Sequence, residues 1–139
     1  MTDRSADALS GPRGIHSTLD ISVVEATNTK VVLTLNVGPH VHQPYGILHG
    51  GVSALMAESA ASFGGALAAP EGKGVVGIEL NASHLRAVSD GPVTATATPL
   101  RVGRTVQVWG IEVRDQNDRL TCVARCTLAV VDRPAPEGS

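Results

Sequence analysis

The sequence predicts an α+β domain in which an antiparallel sheet packs against one long helix, and three observations carry that expectation. Six runs of strand-like residues are separated by short clusters of turn formers. A single proline-free segment, from Gly50 to about Leu67, is rich in helix-favouring Ala, Leu, Met and Glu. The order β-β-α-β-β-β-β, with hairpin-length connections, pairs the strands antiparallel and lays the helix across one face of the sheet.

Taken in order, Leu19 to Ala26 alternates apolar and polar residues as a strand, and Thr27-Asn28-Thr29 turns the chain. Val31 to Val37 then returns with Val31, Leu33 and Leu35 on one face, completing a hairpin. Two prolines and two glycines between Gly38 and Gly46 oppose regular structure, so this stretch is a loop leading into the helix. The helix is on the order of 27 Å long. Its only polar residues are Ser53, Glu58, Ser59 and Ser62, so burial nearly all round is expected. Gly64 and Gly65 each weaken it by up to ~1 kcal/mol and suggest the close approach of another backbone. Strands follow from Val75 to Ala82, Val93 to Leu100, Val106 to Val113 and Leu120 to Val131. Turns at Ser89-Asp90-Gly91, Val102-Gly103-Arg104 and Asp115-Gln116-Asn117-Asp118 divide them. The domain is thus expected over residues 14–132, with residues 1–13 and 133–139 as disordered tails.

The composition excludes several classes of function. A chain of 139 residues is one domain and can bury a core without staples. A net charge of −2 and a pI near 6.2 leave no electrostatic footprint for nucleic acid or an anionic membrane. The N-terminus carries charges and no apolar stretch, so no secretory signal is read and a cytoplasmic location is expected. Gly50 to Ala69 is mostly Ala, Gly and Ser with Glu58 at its centre, which argues against a membrane span. Cys122 and Cys126 stand four apart on one strand face, well over ten ångströms at about 3.3 Å per residue, too far to bridge. They read as buried thiols, since a metal would need more soft ligands at closer spacing.

Apart from three histidines, Glu58 is the only ionisable acidic or basic side chain of the Asp, Glu, Lys and Arg type between Lys30 and Glu71. Burying an unpaired carboxylate costs several kcal/mol, and a dry pocket moves such a group toward the working range of a general base. Glu58 is therefore a candidate for chemistry, set against a helix-surface Glu or a structural network. Gly50 and Gly51 would occupy the first helical positions, where N–H groups lack intrahelical partners and the helix dipole is positive. Without a β-carbon there, a carbonyl oxygen can approach, and such donors are worth roughly 3–4 kcal/mol to a developing oxyanion. A plain turn into the helix is the competing explanation. Ser62, four residues after Glu58, shares its helical face and could position a water, or merely bond the carbonyl four residues back. Gln43, in the preceding loop, offers an uncharged donor and acceptor.

His40, His42 and His49 together with Glu58 raise a metal-site alternative, weakened by the half-turn phase difference between His49 and Glu58. Gly72-Lys-Gly-Val-Val-Gly77 has the letters of a dinucleotide fingerprint but follows a helix and enters a strand, the reverse of the required context. Asn81-Ala-Ser83 is a glycosylation sequon without meaning in a cytoplasmic chain. His84, Arg86, Arg101 and Arg104, with Gly103 and Thr105, fall at predicted strand ends. They are suited to phosphate, or are simply solvated charges.

These residues form a familiar set. Gln43-Pro-Tyr-Gly-Ile-Leu-His49-Gly-Gly, Ala57-Glu58-Ser-Ala-Ala-Ser62, Val76-Gly-Ile-Glu-Leu-Asn-Ala-Ser-His84-Leu-Arg86 and Val106-Gln-Val-Trp109 occur in sequence. Over about Gly14 to Val131 the chain resembles the hotdog-fold acyl-CoA thioesterases of the PaaI-like superfamily. Within them it is most similar to the branch of the Arthrobacter-type 4-hydroxybenzoyl-CoA and bacterial 1,4-dihydroxy-2-naphthoyl-CoA thioesterases. The resemblance implies a sheet wrapped around a central helix, homodimers with shared active sites, and usually homotetramers. It implies that Glu58 is nucleophile or general base, that the Gly50 N–H polarises the thioester carbonyl, and that Gln43 assists beside Gly50. Glu58 and Ser62 would come from the neighbouring subunit, and His49 would shape the site. His84, Arg86, Gly103, Arg104 and Thr105 would hold the coenzyme A end of the substrate. No metal and no organic cofactor is called for, since an oxyanion donor and a carboxylate suffice for thioester hydrolysis. A hotdog dehydratase or hydratase using His49 and Glu58, and a non-catalytic acyl-CoA-binding protein, are the alternatives.

Overall fold

The computed structural model describes residues 14–133 and is a six-stranded antiparallel sheet carrying one long helix. The elements are α1 (Ile15–Leu19), β1 (Ser22–Ala26), β2 (Val31–Val37), α2 (Gly50–Ala68), β3 (Lys73–His84), β4 (Gly91–Val102), β5 (Val106–Arg114) and β6 (Leu120–Asp132). A 3-10 turn, Pro39–Val41, interrupts the loop before α2. The expected tails fall outside the described residues except for Arg133, whose N–H donates to the Gly72 carbonyl at 3.0 Å.

The strand order is β1-β2-β4-β5-β6-β3. Leaving β2, the chain must therefore cross four strand spacings, about 19 Å, to reach β3 at the far edge. Helix α2, with 19 residues and a length of roughly 28 Å, makes that crossing over the sheet. Alternation along β2, β4 and β5 sends Val31, Leu33, Leu35, Val93, Ala95, Ala97, Trp109 and Ile111 inward, each at most 2% exposed. Met56, Ala57, Ala60 and Ala61 of α2, all fully buried, close the core from above.

One buried polar side chain ties helix to sheet. Gln107 donates from Nε2 to the Gly65 carbonyl (3.2 Å) and accepts from Trp109 Nε1 on Oε1 (2.9 Å), so a polar group at 0% exposure is satisfied on both sides. A β-carbon on Gly64 would stand 2.4 Å from Trp109, and one on Gly65 would stand 2.4 Å from Leu128. The two glycines thus admit side chains of β5 and β6, not the backbone that the sequence suggested.

Two further expectations change. The first strand begins at Ser22 rather than Leu19, because residues before it form α1. Asp20 takes a left-handed conformation (φ 59°) and ends that helix, while the Ile21 N–H reaches back to the His16 carbonyl at 2.8 Å. Helix α2 is not buried all round. Its buried residues, Ser53, Met56, Ala57, Ala60, Ala61, Gly64 and Gly65, recur at helical spacing on one face only.

Candidate active site

The start of α2 is fixed by its own capping residue. His49 has extended backbone geometry, and its Nδ1 accepts the Gly51 N–H at 2.8 Å while its carbonyl accepts the Val52 N–H at 2.9 Å. Among the described residues the Gly50 N–H has no acceptor. The cap thus consumes one of the two glycine amides and leaves the other at the positive end of the helix. The loop before it is pinned by the Leu48 N–H on the Val88 carbonyl (2.7 Å) and the His49 N–H on the Val41 carbonyl (2.9 Å). Gln43 Oε1 accepts the N–H of Tyr45, which frees the side-chain amide to donate.

Gln43 and Gly50 line one cavity of about 450 Å³ with Ile47, Ser53, His84 and Arg86. His84 ends β3 on the helix side of the sheet, opposite buried Cys122. A β-carbon on Gly50 would lie 3.0 Å from its Nε2, so the missing side chain admits the imidazole as well as any ligand.

Glu58 and Ser62 line a second cavity of about 510 Å³, with His16, Leu55, Ser59 and Phe63 among its walls. Glu58 was expected in a dry pocket, and in the single chain it is exposed instead. Its face of α2 is only partly covered, by β3 of the chain's own sheet. Its carboxylate lies over β3, where a β-carbon on Gly77 would stand 3.0 Å from Oε2. Ser62 makes no hydrogen bond among the described residues, so its hydroxyl is available to the cavity. Leu55 and Phe63 border this space, whereas Met56, next to Leu55 on the helix, is fully buried in the core. The negative charge is felt in the core. Burial, and then the charges of Glu58 and Glu79, push the Cys126 thiol up to about 11.

Gly50 and Glu58 are eight residues apart, about 12 Å along the helix, and they open into different cavities. One chain does not bring the expected oxyanion donor and the Glu58 carboxylate together. The expected coenzyme A residues are divided too. His84 and Arg86 border the Gly50 cavity, while Gly103, Arg104 and Thr105 form the β4–β5 turn. That turn lies beside Ala129 of β6, and His84 pairs with Cys122, a separation of roughly 23 Å along the strand. The strand-end cluster is therefore not one site within a chain. The histidines also part company: His40 Nε2 bonds the Leu19 carbonyl (3.2 Å), His42 Nε2 the Ser89 carbonyl (2.9 Å), and His49 caps α2. Among the described residues no three His, Cys, Asp or Glu side chains gather as metal ligands.

Sequence reasoning missed His16, Ser59 and Gly77. His16 precedes the first periodic segment, where nothing marked a helix. Gly77 was hidden in a glycine pattern read only as a failed nucleotide fingerprint.

Comparison with known proteins bears on this arrangement. Residues 45–122 match the model of the thioesterase superfamily. The chain is 44% identical over 117 residues to the 1,4-dihydroxy-2-naphthoyl-CoA hydrolase of Listeria monocytogenes, covering 84% of this chain and 95% of that one. It is 45% identical over 98 residues to the proofreading thioesterase EntH of Cronobacter turicensis, covering 70% and 72%. The crystal structure of a Haemophilus influenzae thioesterase superposes with a TM-score of 0.89 at 39% identity, covering 99% of this chain and 95% of that one. Among the described residues no helix is long and apolar enough to cross a membrane.

Proposed function

This chain belongs to the thioesterase superfamily and is a thioester hydrolase with the hotdog fold, and from that premise we propose that it cleaves aromatic or medium-size acyl-coenzyme A to the free acid and coenzyme A. One observation carries the mechanism. An unpartnered glycine amide and an exposed carboxylate stand on one helix in separate cavities, each lacking what the other has.

A second copy supplies the missing half. With two chains related by a two-fold axis, the Gly50 N–H and the Gln43 amide of one meet Glu58 and Ser62 of the other, giving two equivalent sites. Two features favour such pairing: a partly exposed face of α2, and a 12-residue edge strand β3 exposing Val76 (49%) and Ile78 (59%). Pairs of these dimers make a homotetramer in this reading. The thioester carbonyl oxygen takes the Gly50 N–H, and charge building there is stabilised by a donor already in place. Glu58 either attacks the carbonyl carbon, giving a mixed anhydride that water then hydrolyses to the free acid, or takes a proton from a water that attacks the carbonyl itself; in both routes the thiolate departs without strong acid assistance. His49 serves by holding the Gly51 amide out of the way. His84 and Arg86 beside Gly50, with Gly103, Arg104 and Thr105 contributed across the assembly, hold the coenzyme A end. No cofactor enters this chemistry. Two free buried thiols fit a cytoplasmic setting.

The relatives' names favour an aromatic acyl group, and the cavity bordered by Leu55 and Phe63 accommodates one. The test is thiol release from a panel of aryl- and alkyl-CoA thioesters by native protein and Glu58→Ala. A loss of at least about a hundredfold in the variant is expected, and equal release by both would refute the assignment. Mixing Glu58→Ala with Gln43→Ala chains, each nearly inactive alone, should restore about a quarter of native activity through heterodimers holding one intact site. Absence of any recovery after verified subunit exchange counts against the shared site.

A further inference from the structure

The wall of the Glu58 cavity carries a polar pair that the hydrolytic chemistry leaves unused. His16, on the short helix α1, reaches across to α2, where its Nε2 and the Ser59 hydroxyl lie 2.8 Å apart. Its ring also rests against Phe63, with centroids 5.2 Å apart and planes tilted by 52°. Both neighbours belong to the cavity that holds Glu58 and Ser62, and the remaining walls, Leu55 and Leu80 among them, are largely apolar. Ser59 follows Glu58 directly on the helix, so it faces about 100° away. The polar pair therefore sits beside the reacting carboxylate rather than on it.

We propose that His16, oriented by Ser59 and Phe63, is the specificity-determining residue of the acyl pocket and selects thioesters whose acyl group carries an uncharged hydroxyl. This rests on the reading of the Glu58 cavity as the acyl-binding site. One ring nitrogen is engaged by Ser59 in either tautomer, and among the described residues the other makes no hydrogen bond. A hydroxyl can satisfy that nitrogen whether it is donor or acceptor, because a hydroxyl is both. Partial burial lowers the His16 pKa, which keeps the ring neutral and unsuited to pairing with an acyl carboxylate. A site built to bond a hydroxyl rejects the analogue lacking it, since its own polar group is then left without a partner. α1 is anchored for this task. The left-handed Asp20 closes it, and the His40 ring holds the Leu19 carbonyl at 3.2 Å.

A ring or an alkyl chain can carry the hydroxyl, and two matched pairs separate these sources: hydroxybenzoyl-CoA isomers against benzoyl-CoA, and 3-hydroxybutyryl-CoA against butyryl-CoA. The quantity read is the ratio of kcat/KM within each pair, for native protein, His16→Leu and His16→Gln. Native protein should prefer a hydroxylated member at least tenfold in one pair. His16→Leu should collapse that ratio to within about threefold of unity, and His16→Gln, which keeps a hydrogen-bonding group, should recover part of it. An unchanged ratio in His16→Leu overturns the proposal, as does equal loss on both members of a pair, which would mark a purely structural residue. If native protein releases thiol from none of the four classes, the acyl-CoA reading itself fails. A ratio that fails to respond while thiol is released condemns only the role of His16.

Discussion

Helix α2 has two faces made from nearly the same residue types, and they do opposite work. The buried face, with Met56, Ala57, Ala60 and Ala61 fully enclosed, is packed so closely that Gly64 and Gly65 have no room for a methyl group. The other face, carrying Leu55, Glu58, Ser59 and Ser62, borders a cavity of about 510 Å³. Small residues on the first face let the sheet come close. On the second they leave space for a ligand and keep a carboxylate from finding a partner. Composition cannot separate these roles; only the side of the helix on which the sheet lies does so.

The contrast can be broken first at its extremes. Glu58→Ala should cost at least about a hundredfold in kcat with little change in Tm, since the side chain is exposed and has no ion pair among the described residues. Coupled thiol-release assays and thermal melts on the same samples check both halves. Gly64→Ala should do the reverse. Its methyl group would meet the buried Trp109 ring at 2.4 Å, and such overpacking costs about 1–3 kcal/mol, offset by up to ~1 kcal/mol of helix propensity. Urea denaturation should show the loss, with kcat per folded molecule retained.

Gly77→Ala sharpens the division between the faces. The new β-carbon would lie 3.0 Å from Glu58 Oε2, and the carboxylate sits at the end of a flexible chain that can move aside. Stability should stay within about 1 kcal/mol while kcat falls roughly ten- to a hundredfold, the scale expected when a reacting group is displaced by about an ångström. The smallest effect concerns pH. Burial lowers the His16 pKa below its ordinary 6.5 in the folded chain. The unfolded chain therefore takes up this proton first on acidification, and stability must fall as pH drops through that value until the folded pKa is passed. Thermal melts at pH 7.5 and 5.5 should show a smaller loss in His16→Gln than in native protein.

Most of the architecture was legible in the sequence because the alternation along Val31, Leu33 and Leu35, and again along Trp109, Ile111 and Val113, reports directly which face is buried. The single proline-free segment located the helix to within a residue or two. Gly50 and Glu58 stood out for reasons of local chemistry, one as a helix start and the other as a lone charge. What could not be read was anything decided by tertiary neighbours. The exposure of Glu58 depends on which side of α2 the sheet covers. The role of Gly77 exists only because Glu58 lies over it, and His16 matters through a contact 43 residues away in the chain. Likewise, Arg86 and Arg104 seemed to share a strand-end cluster until the register put them at opposite ends of β6.

The long free edge of β3 has a consequence for how this protein behaves in bulk. A 12-residue strand whose outer edge is unpaired among the described residues, with Val76 and Ile78 exposed, is a template on which any extended chain can add. Pairing edge to edge about a two-fold axis uses that template up and stops growth at two, whereas head-to-tail addition would continue into fibres. Under the proposed assembly, dilution thus costs catalysis and colloidal stability together. The concentration at which activity is lost is then also the concentration below which the chain must be protected from other sticky surfaces.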